Sequence, residues 1–342
     1  MNAQEQREAM LYEPAGDGKV RCRLCAHRCL IPPGELGICH VRKNIGGKLV
    51  SLSYESIVAV HVDPIEKKPL FHFLPGTRSL SVAAAGCNFR CGFCQNWQIS
   101  QAPREGRILG GQSISPTELV SAAQRHRCAS KSYTYTEPTV FFELAYDTAV
   151  LAAEKGIKNC FVSNGFMTPE AVETIAPYLD AINVDLKAFR DETYRRVMKA
   201  RLEPVLSCLK ALVAAGVWVE VTTLVVPGLN DSAQELSEIA NFIANELSPD
   251  VPWHVSRFHG DYKMSDAPST PLETLQRAME IGREAGLRYV YCGNVPGHDG
   301  ENTRCHQCGT LLIHRLGFSI QSNRLVEGKC PDCGAEIAGL WK

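Results

Sequence analysis

From about residue 79 onward, short β-branched or aromatic runs alternate with longer amphipathic stretches, and this alternation restricts the fold more than any other feature. The runs are LSVAAA (80–85), KSYTYT (131–136), KNCFVSN (158–164), AINVDLKA (181–188), WVEVTTLVV (218–226), WHVSRF (253–258) and YVYCGN (289–294). Few of them alternate strictly between apolar and polar residues, which suits parallel strands covered on one or both faces. The stretches between read as helices. PTVFFELAYDTAVLAAEKG opens on proline and closes on glycine. SAQELSEIANFIANEL offers Ser232 as an N-cap with Glu235 three residues later, a capping box. Repeated β-α units predict a parallel sheet with right-handed crossovers. The expected class is α/β, a partial (β/α)6 barrel of TIM type with its site at the C-terminal ends of the strands. An open doubly wound sheet has the same spacing. A chain of 342 residues can form such a barrel as one unit.

The second constraint is cysteine. The chain has 15, and eleven fall into three groups. Cys22, Cys25, Cys29 and Cys39 lie in a Gly- and Pro-bearing stretch with little helical periodicity; Cys87, Cys91 and Cys94 follow the first strand; Cys305, Cys308, Cys330 and Cys333 lie near the end. Cys128, Cys160, Cys208 and Cys292 are scattered and read as buried thiols. The N-terminal stretch MNAQEQREAMLYEP lacks the apolar core of a signal peptide, and no run of ~18 apolar residues could span a membrane. A cytoplasmic location is therefore expected, where clustered cysteines mean metal sites rather than disulfides. With 36 Lys plus Arg against 37 Asp plus Glu, no basic bias points to nucleic acid or to an anionic membrane. The expected organisation is a Cys-rich metal-binding module over 1–50, a connecting segment over 51–78 ending in the turn LPGT, a barrel core over 79–297 and a zinc-ribbon-like module over 298–342.

GCNFRCGFCQNW (86–97) carries the triplet in C-x3-C-x2-C order, in the first loop after a strand, where barrels of this kind do chemistry. Four thiolates saturate a four-iron cluster; three leave one iron open to an outside ligand. The alternatives are half of a zinc site with a distant fourth ligand, or plain buried thiols. Phe93, an aromatic residue just before the last cysteine, completes the pattern C-x3-C-x-aromatic-C of radical S-adenosylmethionine (SAM) enzymes.

DPIEKKPLFHFLPG, GCNFRCGFCQNWQIS, YTYTEPT, SNGFMT, NVDLKAF, VVPGLND, SRFHGDYKM and the closing CHQCG and CPDCG together resemble one family. It is the radical SAM branch similar to pyruvate formate-lyase activating enzymes, and within it the radical SAM component of the AmmeMemoRadiSam system. The resemblance implies a [4Fe–4S] cluster on Cys87, Cys91 and Cys94, with SAM chelating the open iron through its amino group and carboxylate. One electron then cleaves SAM, and a 5′-deoxyadenosyl radical abstracts hydrogen from a substrate. It also implies SAM contacts. Glu137 matches the acidic residue of a Gly-Gly-Glu-Pro motif, although Tyr135 and Thr136 replace the glycines. A helix-initiating Glu-Pro pair is the plainer reading. Asn164 ends the third strand, where its amide could reach SAM or merely form a turn. Asp185 and Lys187 match an Asp-x-Lys motif near the methionyl end of SAM, or form a structural ion pair. His259 resembles a histidine near SAM, with a surface role as the alternative. Phe93 shields the cluster.

The terminal groups differ in kind. Cys305-x2-Cys308 and Cys330-x2-Cys333, each followed by glycine, face each other across a predicted hairpin and favour a closed, structural zinc site over rubredoxin-type iron. The N-terminal four either close a zinc site, with His27 a competing ligand, or hold a second Fe–S cluster; zinc is the preferred expectation. The substrate is expected to be a peptide, protein or small molecule. Memo-like and AMMECR-type proteins are the expected partners, with a flavodoxin or ferredoxin as electron donor. Activation of a glycyl-radical enzyme is the alternative activity, and a multi-zinc interaction scaffold is the alternative without catalysis.

Overall fold

The computed structural model describes residues 7–107, 111–295 and 297–342, so the first six residues of the polar N-terminal stretch lie outside the described residues. Its centre is a nine-stranded sheet. Seven strands run parallel and neighbour one another in chain order: Arg78–Ala84, Ser130–Tyr133, Lys158–Ser163, Ala181–Asp185, Trp218–Val225, Trp253–Arg257 and Val290–Gly293. All seven candidate runs thus become strands, one more than a six-stranded partial barrel requires. Among the described residues no ladder joins the last strand to the opposite edge, so the sheet is open. The fold is α/β with a mostly parallel sheet.

Burial explains why the runs lacked a strict period of two. Every residue from Ala181 to Val184 is buried, as is every residue from Trp253 to Ser256, because both faces are covered. Trp253 is the largest fully buried side chain; its indole donates to Thr223 Oγ1 at 2.9 Å. Helix starts follow local chemistry. Ser115 and Glu118 form a complete capping box, and Thr168 caps the helix Pro169–Ile175. At Ser232 only half of the expected box forms. Its hydroxyl accepts from Glu235 N, but the Glu235 carboxylate takes Phe189 N at 2.6 Å instead of turning back to the cap.

The expected connecting segment over 51–78 contains a strand. Ser56–Pro64 pairs antiparallel with the first parallel strand, and Gln112–Ser113 extends that edge. Only Ile57 and Asp63 of its nine residues are buried, and its short apolar run, 57–60, gives way to His61 and Asp63. The chain before it forms short antiparallel ladders, Tyr12–Pro14 with Val20–Cys22 and Arg42–Ile45 with Lys48–Ser51. The end of the chain forms the expected hairpin, Leu311–Leu316 against Ser319–Asn323. Among the described residues no helix is long and apolar enough to cross a membrane.

Candidate active site

The first parallel strand ends at Ala84, and the chain turns at Gly86 with φ +113°. A side chain there would meet Val41 Cγ1 at 2.9 Å. Cys87 follows, and its Sγ accepts from Phe89 N at 3.3 Å. Cys94 Sγ lies 3.3 Å from Ser100 Oγ, and Cys91 is buried. Phe89 and Phe93 are buried beside them. Burial raises the Cys87 thiol well above its ordinary value, with Glu137 and Cys91 adding to the rise. Burial also pushes Cys91 up to about 12, opposed by the nearby Lys187. The sulfurs of Cys87, Cys91 and Cys94 are not all within 4.8 Å of one another. One zinc ion would hold its thiolates about 3.8 Å apart, the edge of a tetrahedron with Zn–S near 2.3 Å. Asn88 Nδ2 beside them is buried without a hydrogen-bond partner in the protein. Three widely set thiols, apolar walls and an unused donor fit a cluster of several irons with a polar molecule beside it.

The remaining candidates stand at the ends of the next strands. Glu137 is 3% exposed, and its Oε1 accepts from Thr139 N, Thr139 Oγ1 and Ser163 Oγ. Its Oε2 accepts from Asn164 N at 2.8 Å. Burial raises its pKa, and these donors oppose the rise. Glu137 is therefore a helix-initiating cap whose second oxygen keeps an acceptor position free. Asn164 Nδ2 donates to Asn88 Oδ1 at 2.7 Å and lies 3.8 Å from Cys87 Sγ, so the third strand's end reaches the cysteine loop. Lys187 Nζ pairs with Asp185 at 2.7 Å and sits 5.9 Å from the Phe93 ring centre. Burial alone would lower Lys187, but Asp185 and then Cys91 hold it above its ordinary value. His259 is exposed, and its Nε2 meets Gln95 Nε2, next to Cys94, at 2.9 Å. Glu137, Asn164 and Cys87 thus form one contact chain, Lys187 and Phe93 another, and His259 lies at the rim. Asn88, Ser100 and Tyr194, whose hydroxyl accepts from Lys187 N at 3.1 Å, were missed in the sequence. Only Asn88 carried a signal, its place inside the triplet.

The two outer cysteine groups differ in spacing. Cys305 Sγ lies 3.6 Å from Cys333 Sγ, and Cys308 Sγ lies 3.6 Å from Cys330 Sγ. All four sulfurs are within 4.8 Å of one another, a set that could bind a metal ion. The Thr310 hydroxyl, 3.4 Å from Cys308 Sγ, is the main cause that lowers that thiol to about 6, which favours the metal-binding thiolate. Cys22, Cys25, Cys29 and Cys39 instead surround a cavity, and no three of them come within 4.8 Å, with or without His27.

Residues 82–243 match the Radical SAM superfamily. The chain carries a radical SAM domain. This radical SAM protein is an enzyme of that type, which sets aside the non-catalytic scaffold, and its family implies a four-iron cluster and SAM. It is 48% identical over 333 residues to an uncharacterized protein of Methanocaldococcus jannaschii, covering 97% of this chain and 98% of that one. It is 26% identical over 226 residues to the pyruvate formate-lyase-activating enzyme of Clostridium pasteurianum, covering 61% of this chain and 92% of that enzyme. The crystal structure of a radical SAM methyltransferase from Sphaerobacter thermophilus shares the fold, with TM-score 0.51 and 17% identity over 70% of this chain and 71% of that one.

Proposed function

We propose that Cys87, Cys91 and Cys94 hold the four-iron cluster and that the enzyme abstracts hydrogen from a protein or peptide. The observation that carries this reading is the loop after the first parallel strand, which offers three thiols set wider than one metal ion allows. When bound there, the cluster supplies the electron that cleaves SAM to methionine and a 5′-deoxyadenosyl radical. The chain's own residues bind and orient. Lys187, held by Asp185, offers a cation to the SAM carboxylate. The free acceptor position on Glu137 Oε2 suits the SAM amino group, and the Asn164 amide adds a polar contact. Phe89 and Phe93 keep water from the loop. His259 stands at the rim, where it can meet the adenosyl end or the substrate. The C-terminal four hold a structural zinc, supported by sulfur spacings of 3.6 Å.

The finer assignment follows the resemblance to the AmmeMemoRadiSam system: a cytoplasmic enzyme acting with Memo-like and AMMECR-type proteins and reduced by a flavodoxin or ferredoxin. Activation of a glycyl-radical enzyme is the second reading, favoured by the likeness to most of the length of an activating enzyme.

The test is anaerobic reconstitution followed by reduction with SAM present. The parent should release 5′-deoxyadenosine and Cys94→Ala should not; equal release by both would refute the cluster assignment. Anaerobic capture with SAM, read by mass spectrometry, separates the two activities. Recovery of a glycyl-radical enzyme that acquires a glycyl radical signal would replace the first reading with the second.

A further inference from the structure

Cys22, Cys25, Cys29 and Cys39 come from separate pieces of backbone drawn around one cavity. Cys22 ends the strand Val20–Cys22, and its N donates to Cys29 O at 2.9 Å. Cys25 bridges to Met167 on the loop after the third parallel strand. Cys39 comes from the turn where His40 N donates to Gly37 O. The four line one small cavity together with Arg42, His27, Thr139 and apolar side chains, and no carboxylate lines it. His27 Nε2 is already engaged by Asn88 O at 2.9 Å.

The spacing does not suit a single zinc ion. Four thiolates on one zinc stand about 3.8 Å apart. The C-terminal four follow that rule at 3.6 Å. The N-terminal four do not, and in this they match the central triplet. A cubane cluster takes each thiolate on a different iron, so it needs sulfurs set apart around a cavity.

We propose that Cys22, Cys25, Cys29 and Cys39 hold a second four-iron cluster, fully ligated by the protein and serving electron transfer. With no iron left open it has no place for a substrate. Its surroundings suit the role. Arg104 Nη2 donates both to Ile38 O at 2.9 Å and to Cys87 O at 3.1 Å, so the neighbour of Cys39 and the central loop share one nitrogen. The His27–Asn88 contact makes a second bridge. Arg42 Nη1 lies 3.3 Å from Cys22 Sγ, and an N–H···S contact from a buried cation favours the more negative, reduced state. One electron enters from a carrier of the flavodoxin or ferredoxin class and one leaves toward the central site; no bond forms or breaks. The ligand assignment stands on its own, whereas the direction of electron flow rests on the central-site reading above.

The test counts iron, acid-labile sulfide and zinc in the full chain after anaerobic reconstitution. The parent should hold about eight irons and about one zinc. A Cys87→Ala, Cys91→Ala, Cys94→Ala variant should keep about four irons and show an EPR signal on reduction. A Cys22→Ala, Cys29→Ala variant should also keep about four. About four irons and two zincs in the parent, with the irons lost from the triple variant, would overturn the proposal. About four irons in the parent that persist in the triple variant would overturn the central assignment instead. The parent and the triple variant both keep the N-terminal ligands, so a double variant that fails to fold does not weaken the test.

Discussion

At the scale of the residue, two positions bear most directly on the cysteine loop. Gly86 has φ +113°, and an added Cβ would lie 2.9 Å from Val41 Cγ1. Gly86→Ala should cost about 2 kcal/mol, from overpacking and backbone strain together. It should also reduce iron uptake at the central site; the measurements are the denaturation midpoint and the iron count of reconstituted protein. Glu137 satisfies Thr139 N, Thr139 Oγ1, Ser163 Oγ and Asn164 N. Glu137→Ala strands these donors in a buried place and should cost about 3 kcal/mol. Glu137→Gln keeps one carbonyl oxygen and should lose less stability, while SAM binding, read by equilibrium dialysis, weakens in both. The chemistry of these residues was legible in the motifs. Two of the donors that occupy Glu137, Ser163 Oγ and Asn164 N, were not, because they arrive from the end of a neighbouring strand.

At the scale of the element, the parallel strands were legible because burial on both faces leaves an unbroken β-branched run. Ser56–Pro64 was not, since its ladder partner lies on the next strand and only Ile57 and Asp63 of its nine residues are buried. Glu235 shows the same limit. The local pattern specified a capping box, but Phe189 N, brought in by tertiary packing, took its carboxylate. The C-terminal hairpin has a small core of Leu312, Ile313 and Ile337 against Phe71, Tyr289 and Tyr291, too little to hold it without a metal. Cys330→Ser should therefore speed amide exchange across Leu311–Asn323 while Trp218–Val225 stays protected, as read by hydrogen-exchange mass spectrometry.

At the scale of the whole molecule, a buried polar network ties the end of the chain to the sheet. Glu220 accepts from Phe71 N, His72 N, Trp218 Nε1 and His254 Nε2. His72 reaches Ala338 O at 2.6 Å and Tyr291 Oη at 2.5 Å. Burial lowers His72 to about 4, although Glu220 opposes the shift. The unfolded imidazole takes its proton near pH 6.5, the folded one only near pH 4. Between those values the unfolded state binds more protons, so stability falls as pH falls, by roughly 3 kcal/mol across the window. Denaturant midpoints at pH 7 and pH 5 should show about 2 kcal/mol of this loss in the parent and a smaller loss in His72→Gln. None of this was readable from a lone histidine, because its partners lie more than two hundred residues away along the chain. The amino-acid sequence alone carried the order of the seven parallel strands and the identity of the ligand-type residues, since both depend on local periodicity and side-chain chemistry. Only the tertiary structure decided how far apart each set of sulfurs stands. That distance separates a set packed for one ion from two sets spread more widely, and it is set by the docking of segments that the chain keeps apart.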